Sequence, residues 1–238
     1  MQGKNILVAG ASSGIGKETA IYLASQGANV VLVARNEEKL RQIAAQIGER
    51  AFVCVCDLQK SEDTAELFRY IREQNLILDG LVYSAGIARP VPVRIETMAN
   101  AEETMRINCL SFLELGKQFY SRQHSRNGAA IVAISSMAAV RPKMGQASYA
   151  SSKAALNCVV EVMAKEFLKR KIRVNAIMPS YVETPMVSGD VGYGMNRGIG
   201  DMPLGVIEPK QISYLAEFLL SEKSLHITGA SIPVTSGA

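Results

Sequence analysis

Residues Asn5 to Gly16 read Asn-Ile-Leu-Val-Ala-Gly-Ala-Ser-Ser-Gly-Ile-Gly. The run Asn5 to Ala9 has the length and apolar character of a strand buried on both faces. Gly10, Gly14 and Gly16 follow it, with Ser12, Ser13 and Ile15 between them. Glycines at these points let the backbone turn tightly and come close to a pyrophosphate held at the amino end of the next helix. The spacing G-x-x-x-G-x-G differs from the usual dinucleotide fingerprint, and a glycine-rich turn can be purely structural.

The pattern outside this stretch extends the reading. Short β-branched runs recur at Asn29 to Ala34, Ala51 to Cys56, Asp79 to Tyr83, Ala130 to Ser135, Ile172 to Ile177 and Ser231 to Val234. Between them, Ile15 to Gln26, Glu37 to Ile47 and Ser61 to Gln74 carry apolar residues at helical spacing. Strands joined by helices of this length run parallel with right-handed crossovers. The expected architecture is α/β: a doubly wound, Rossmann-type three-layer αβα sandwich with a parallel sheet of about seven strands. The whole span of 238 residues fits one domain. Val187 to Gly205 holds six glycines and little periodicity, and is expected to form a substrate lid over the ligand side.

Composition narrows the function. The net charge is +4, from 26 basic and 22 acidic residues spread along the chain, which gives no basic patch for nucleic acid. The first residues lack a signal peptide's apolar region, and no apolar run reaches membrane-spanning length, so no membrane association and a cytoplasmic location are expected. Cys54, Cys56, Cys109 and Cys158 have no histidine nearby and are expected to be buried free thiols, with no metal site. His124 and His226 are isolated from each other and from any acidic cluster.

Tyr149 and Lys153 lie four residues apart in a helix-forming segment, on one helix face. An ammonium beside a phenol favours the phenolate and is expected to lower the phenol's pKa toward useful acid–base chemistry. Such a pair arises too easily by chance to decide the matter alone. Ser136, thirteen residues before Tyr149 at the end of a strand, gives it weight.

Together these motifs resemble the short-chain dehydrogenase/reductase family, and in length and motif order its 3-oxoacyl-[acyl-carrier-protein] reductase-like branch. Ala9 to Gly16 resembles the family's Thr-Gly-x-x-x-Gly-x-Gly segment, with Ala9 in place of threonine. Asp57 and Leu58 resemble its adenine-contacting pair, and Tyr83-Ser84-Ala85-Gly86 its Asn-Asn-Ala-Gly turn. Pro179, Val182 and Thr184 resemble the segment that holds the nicotinamide carboxamide. The resemblance implies a catalytic group of Asn108, Ser136, Tyr149 and Lys153, with Asn108 supporting a water-mediated proton relay. Asparagine can retain such a water through both ends of its amide. Tyr149 and Lys153 would also contact the cofactor, Lys153 through the nicotinamide ribose. The substrate would be a small-molecule carbonyl, and the implied mechanism is hydride transfer to its carbon with Tyr149 supplying the proton.

The second strand ends Val33-Ala34-Arg35. NAD-specific members of this fold place a carboxylate there, which would repel a 2′-phosphate. Ala34 with Arg35 behind it, helped by Ser12 or Ser13, points to NADPH/NADP. Acyl carrier protein is a further expected partner on the branch resemblance, with Arg126 and Arg170 at the matching positions, although both also read as ordinary surface charges. Against that branch, Ile87 to Val93 lacks its polar pattern. The resemblance also implies a homodimer or homotetramer packed through residues 99–122 and 151–170. The apolar side chains expected at that interface are Phe112, Leu113, Phe119, Val159, Val160, Met163 and Phe167. A non-catalytic NADPH-binding sensor is the alternative class, and loss of the tyrosine or lysine would be its mark.

Overall fold

In the computed structural model residues 1–188 and 202–237 are described. Seven strands, β1 (Asn5–Ala9), β2 (Asn29–Ala34), β3 (Ala51–Val55), β4 (Leu78–Tyr83), β5 (Ser125–Ile134), β6 (Arg173–Pro179) and β7 (Ser231–Val234), form one sheet in the order β3-β2-β1-β4-β5-β6-β7. Every pairing is parallel. The chain order reverses between β1 and β4, so connections leave these neighbours in opposite directions and open a crevice beyond their carboxyl ends.

Alternation along β1 sorts the core into two layers. Leu7 and Ala9 pack with Leu67 and Phe68 of α3 (Ser61–Glu73), Phe112 of α5 (Ser111–Phe119) and Leu156 of α6 (Ala147–Glu166). Ile6 and Val8 face the other way, onto Leu23 of α1 (Gly14–Ser25), Leu40 of α2 (Glu37–Ile47) and Leu219 of α7 (Pro209–Leu220). On that second face α1 and α7 are joined by a buried hydrogen bond of 3.0 Å between the Thr19 and Ser213 hydroxyls.

Two departures from the sequence pattern have physical causes. Strand β5 starts at Ser125, ahead of the expected Ala130, because its polar opening residues carry no apolar signal and the pairing with β4 shifts register between Leu78 and Gly80. The helical stretch after β4 is broken: α4 (Met98–Met105) passes through a π-helical turn at Arg106–Leu110 before α5. The Tyr83 hydroxyl donates to the Ile107 carbonyl, and the Ser111 hydroxyl takes up the Arg106 and Leu58 carbonyls at 2.9 and 2.5 Å. These bonds hold the widened turn in place, and Asn108 sits in it.

Several sequence expectations change here. Phe112, Phe119, Val160, Met163 and Phe167 are buried in the chain's own core, and Val159 is partly so; of the seven named for an interface, only Leu113 is exposed. Arg170 is 5% exposed and donates to the Ser125 carbonyl at 2.6 Å, the Tyr120 carbonyl and Asn127 Oδ1 at 3.1 Å, so its fork is spent inside the molecule. Arg126 lies near the amino end of β5, away from the crevice, and pairs with Asp79 at 3.1 Å. Cys158 is exposed, whereas Cys56 and Cys109 are buried and Cys54 partly so. Burial pushes the Cys54 thiol up to about 11 and the Cys56 thiol to about 12, which keeps both protonated. Most of the expected lid, 187–205, lies outside the described residues; Met202, near its end, is buried in the core.

Candidate functional site

A cleft of about 380 Å³ opens beyond the carboxyl ends of β1 and β4. Its first wall is the turn after β1. Gly10 has φ +84°, and a side chain there would put Cβ 2.5 Å from the Ala85 nitrogen. A Cβ on Gly16 would lie 2.2 Å from the Gly10 carbonyl oxygen, so Gly16 lets α1 start directly against the turn. Gly10, Ser12, Ser13, Gly14 and Ile15 line the cleft, while Gly16 supports them from beneath. The cradle suits a phosphate group at the amino end of α1.

Arg35, Asp57 and Leu58 line the far end of the cleft. Arg35 is exposed, and the neighbouring Asn36 accepts from the Lys39 backbone at 2.9 Å to cap α2. The Asp57 carboxylate accepts from the Gln59 backbone at 3.2 Å, while its own N–H donates to Asp63 at 2.9 Å. Ser84, Ala85 and Gly86 form the middle of the floor. Tyr83, in the position of the turn's first asparagine, does not face the cleft; it is buried against Phe112 with ring centroids 5.3 Å apart.

The chemical end combines β5 and α6. Tyr149 and Ser136 line the cleft together, and Ser136 Oγ accepts from the Ala138 backbone at 3.1 Å, which orients it. Lys153, one turn along α6, is 4% exposed, donates to the Ile134 carbonyl at 2.8 Å and holds its ammonium 5.9 Å from the Tyr149 ring centroid. Desolvation lowers the Lys153 pKa from 10.5 to about 8. It raises that of Tyr149, and the Ser136 hydroxyl opposes the rise only in part. The expected lowering of the phenol is therefore reversed, because burial disfavours the phenolate. Tyr149 is held in its protonated form.

Asn108 is fully buried and does not line the cleft. Its Oδ1 accepts from the Ile87 N–H at 2.8 Å, and its Nδ2 donates to the Ile87 carbonyl and to Ser152 Oγ, both at 2.9 Å. Both hydrogens of the amide nitrogen are engaged, while Oδ1 keeps a second lone pair. Asn108 fixes the segment Gly86-Ile87 against α6. A Cβ on Gly86 would lie 3.2 Å from Asn108 Oδ1 and 3.4 Å from Lys153 Nζ. Ile87 and Ser152 were not marked by the sequence, since neither carries a signal without the loop's position.

Pro179, Val182 and Thr184 close the cleft after β6. Thr184 approaches Gly14, whose added Cβ would meet its Cγ2 at 3.2 Å, so the two ends of the cleft are in register. Ser180, in place of a glycine, donates to the Thr235 carbonyl at 3.2 Å. Met186 and Ile134 also line the cleft, and Ile134 had no sequence signal of its own. Among the described residues no cluster of three or more histidine, cysteine or acidic side chains is placed to hold a metal, and no helix is long and apolar enough to cross a membrane.

Comparison with known proteins agrees with this geometry. A family profile described as short chain dehydrogenase matches residues 4–191. The 7alpha-hydroxysteroid dehydrogenase of Escherichia coli K12 is 31% identical over 244 residues, covering 100% of this chain and 94% of that protein. The acetoacetyl-CoA reductase of Allochromatium vinosum is 31% identical over 237 residues, covering 97% and 96%. The crystal structure of 3-ketoacyl-(acyl-carrier-protein) reductase from Brucella melitensis, complexed with NADH, superimposes with a TM-score of 0.90 at 27% identity, covering 99% of this chain and 98% of that one. With a matching profile over most of its length and full-length relatives on the same sheet, the chain belongs to the short chain dehydrogenase family of oxidoreductases.

Proposed function

We propose that the protein is an NADPH-dependent reductase that converts a ketone to a secondary alcohol, reversibly, with Tyr149 as general acid. The observation that carries the reading is the convergence of Ser136 and Tyr149 at the end of the cleft, one helical turn from the buried Lys153. The glycine cradle fits the pyrophosphate of a dinucleotide, and the cleft is long enough to reach from Arg35 to Tyr149. A bound nicotinamide cofactor supplies the hydride.

The residues do the rest. Ser136 bonds the carbonyl oxygen and polarises it. As that oxygen gains charge, Tyr149 gives it the phenolic proton. Burial keeps the phenol protonated at neutral pH, the form an acid catalyst needs. Lys153, charged at pH 7 because its pKa is about 8, stabilises the tyrosinate left behind until solvent returns the proton. Asn108 holds Gly86-Ile87 so that Lys153 keeps its place.

The preference for NADPH over NADH rests on the second strand's end: Ala34 presents no carboxylate, and the exposed Arg35 guanidinium lines the cleft. A 3-oxoacyl thioester is the second substrate reading, favoured by the likeness to the Allochromatium and Brucella proteins. Carrier-protein docking through Arg170 has no support, since that side chain is buried. Assembly through the π-helical turn, α5 and α6 would rest on Leu110, Leu113 and Val162, which are exposed. The test of function is NADPH oxidation against a panel of ketones, diketones, keto-sugars and 3-oxoacyl thioesters. Turnover of at least one class is expected, and cofactor binding with no turnover across the panel would favour a non-catalytic sensor.

A further inference from the structure

Two segments flank the chemical end of the cleft, and they differ in character. One wall joins the stretch between Ser136 and Tyr149 to the loop after β4: the Val91 N–H donates to the Gly145 carbonyl at 2.8 Å, and the Ser148 hydroxyl donates to Glu96 at 2.5 Å. This wall turns large apolar side chains to solvent, with Met144 97%, Val93 72%, Ile95 58% and Val140 57% exposed. Exposed apolar side chains gathered on one wall mark a surface that something apolar covers.

The other wall follows β6. Ser180 and Val182 line the cleft, and Tyr181 between them lies under Lys143 of the first wall. The Lys143 ammonium is 4.9 Å from the Tyr181 ring centroid and donates to its hydroxyl at 3.1 Å. Among the described residues it has no carboxylate partner. The acid in its own wall, Glu96, is occupied by the Thr97 N–H, the Asn100 amide and the Ser148 hydroxyl. Glu183, beyond Tyr181, is exposed, and Arg94 and Arg141 add positive charge to the first wall.

We propose that Lys143 recognises a carboxylate on the substrate, so that the preferred ketones have an apolar body and an anionic end. The apolar body covers Met144 and Val140, the carbonyl reaches Tyr149, and the carboxylate takes the place of the Tyr181 hydroxyl on the ammonium. The ammonium then meets a full negative charge in place of a neutral hydroxyl, which adds an ion-pair attraction to the bond it already makes. This assignment rests on the ketone-reductase reading of the same cleft.

The experiment compares medium-chain methyl-ketone fatty acids with their methyl esters, with NADPH, in the wild type, Lys143→Met and Lys143→Glu. The wild type should favour the acid in kcat/KM by roughly tenfold at low ionic strength, and the ratio should shrink with added salt. The ratio should fall to about one in Lys143→Met and below one in Lys143→Glu. A wild-type ratio of one, or a preference that survives in Lys143→Met, would overturn the proposal. Calorimetric binding of the same acids to the NADP-loaded protein separates the two readings. Lys143-dependent binding without turnover would sustain the recognition and count against the reductase, whereas binding indifferent to Lys143 would overturn the recognition.

Discussion

The Tyr83 hydroxyl donates a hydrogen bond to the Ile107 carbonyl and so ties the end of β4 to the π-helical turn that carries Asn108. A π turn releases a carbonyl from the helical ladder, and a buried carbonyl needs a donor. Tyr83→Phe keeps the ring against Phe112 and removes only the donor. The expected loss is about 1–2 kcal/mol, read as a lower urea midpoint at an unchanged slope. An unchanged midpoint would mean that the turn is held without this bond.

Lys153 should cost stability where it serves chemistry. Its folded pKa, about 8, lies below lysine's ordinary value of 10.5, so the folded chain disfavours the ammonium. The unfolded chain binds more protons between these values, and stability therefore rises with pH across that window, with the full cost present below about 8. Lys153→Met is expected to be more stable than the wild type by about 1–3 kcal/mol at pH 7, net of the lost bond to Ile134. The difference should narrow from pH 8 upward, while turnover and cofactor affinity both fall. A variant less stable than the wild type at pH 7, with a pH-independent difference, would contradict this.

Cofactor choice should turn on two adjacent residues. Wild-type kcat/KM is expected to favour NADPH over NADH by about tenfold, the scale of a charge-assisted bond to a phosphate at an exposed site. Arg35→Ala should erase most of that preference, and Ala34→Asp should reverse it by repelling the 2′-phosphate. A wild-type preference for NADH would show that this strand end is read wrongly.

The sheet was legible in the sequence because parallel strands buried on both faces leave unbroken apolar runs, as at Asn5 to Ala9, and the glycines after β1 marked the crevice. Residues whose role depends on their own chemistry and spacing, such as Ser136, Tyr149 and Lys153, were legible with it and are brought together at the end of the cleft. What stayed hidden depends on partners distant in sequence. Nothing local tells that Asn108 spends its amide on Ile87 and Ser152, that Tyr83 reaches the π turn, or that Arg170 is turned inward onto backbone carbonyls. The direction of the Tyr149 shift failed for the same reason. The neighbouring lysine is visible in the sequence, but the burial that raises the phenol is not.

The central claim is that Tyr149 gives the proton to the reduced carbonyl. It is tested most directly by measuring single-turnover NADPH oxidation in Tyr149→Phe, with the best ketone from the panel and with NADPH affinity measured alongside. The variant keeps the ring and loses only the acidic hydroxyl. The account predicts near-normal NADPH binding and a chemical step slower by a factor of roughly 100 or more. A chemical step within a few-fold of the wild type would contradict it.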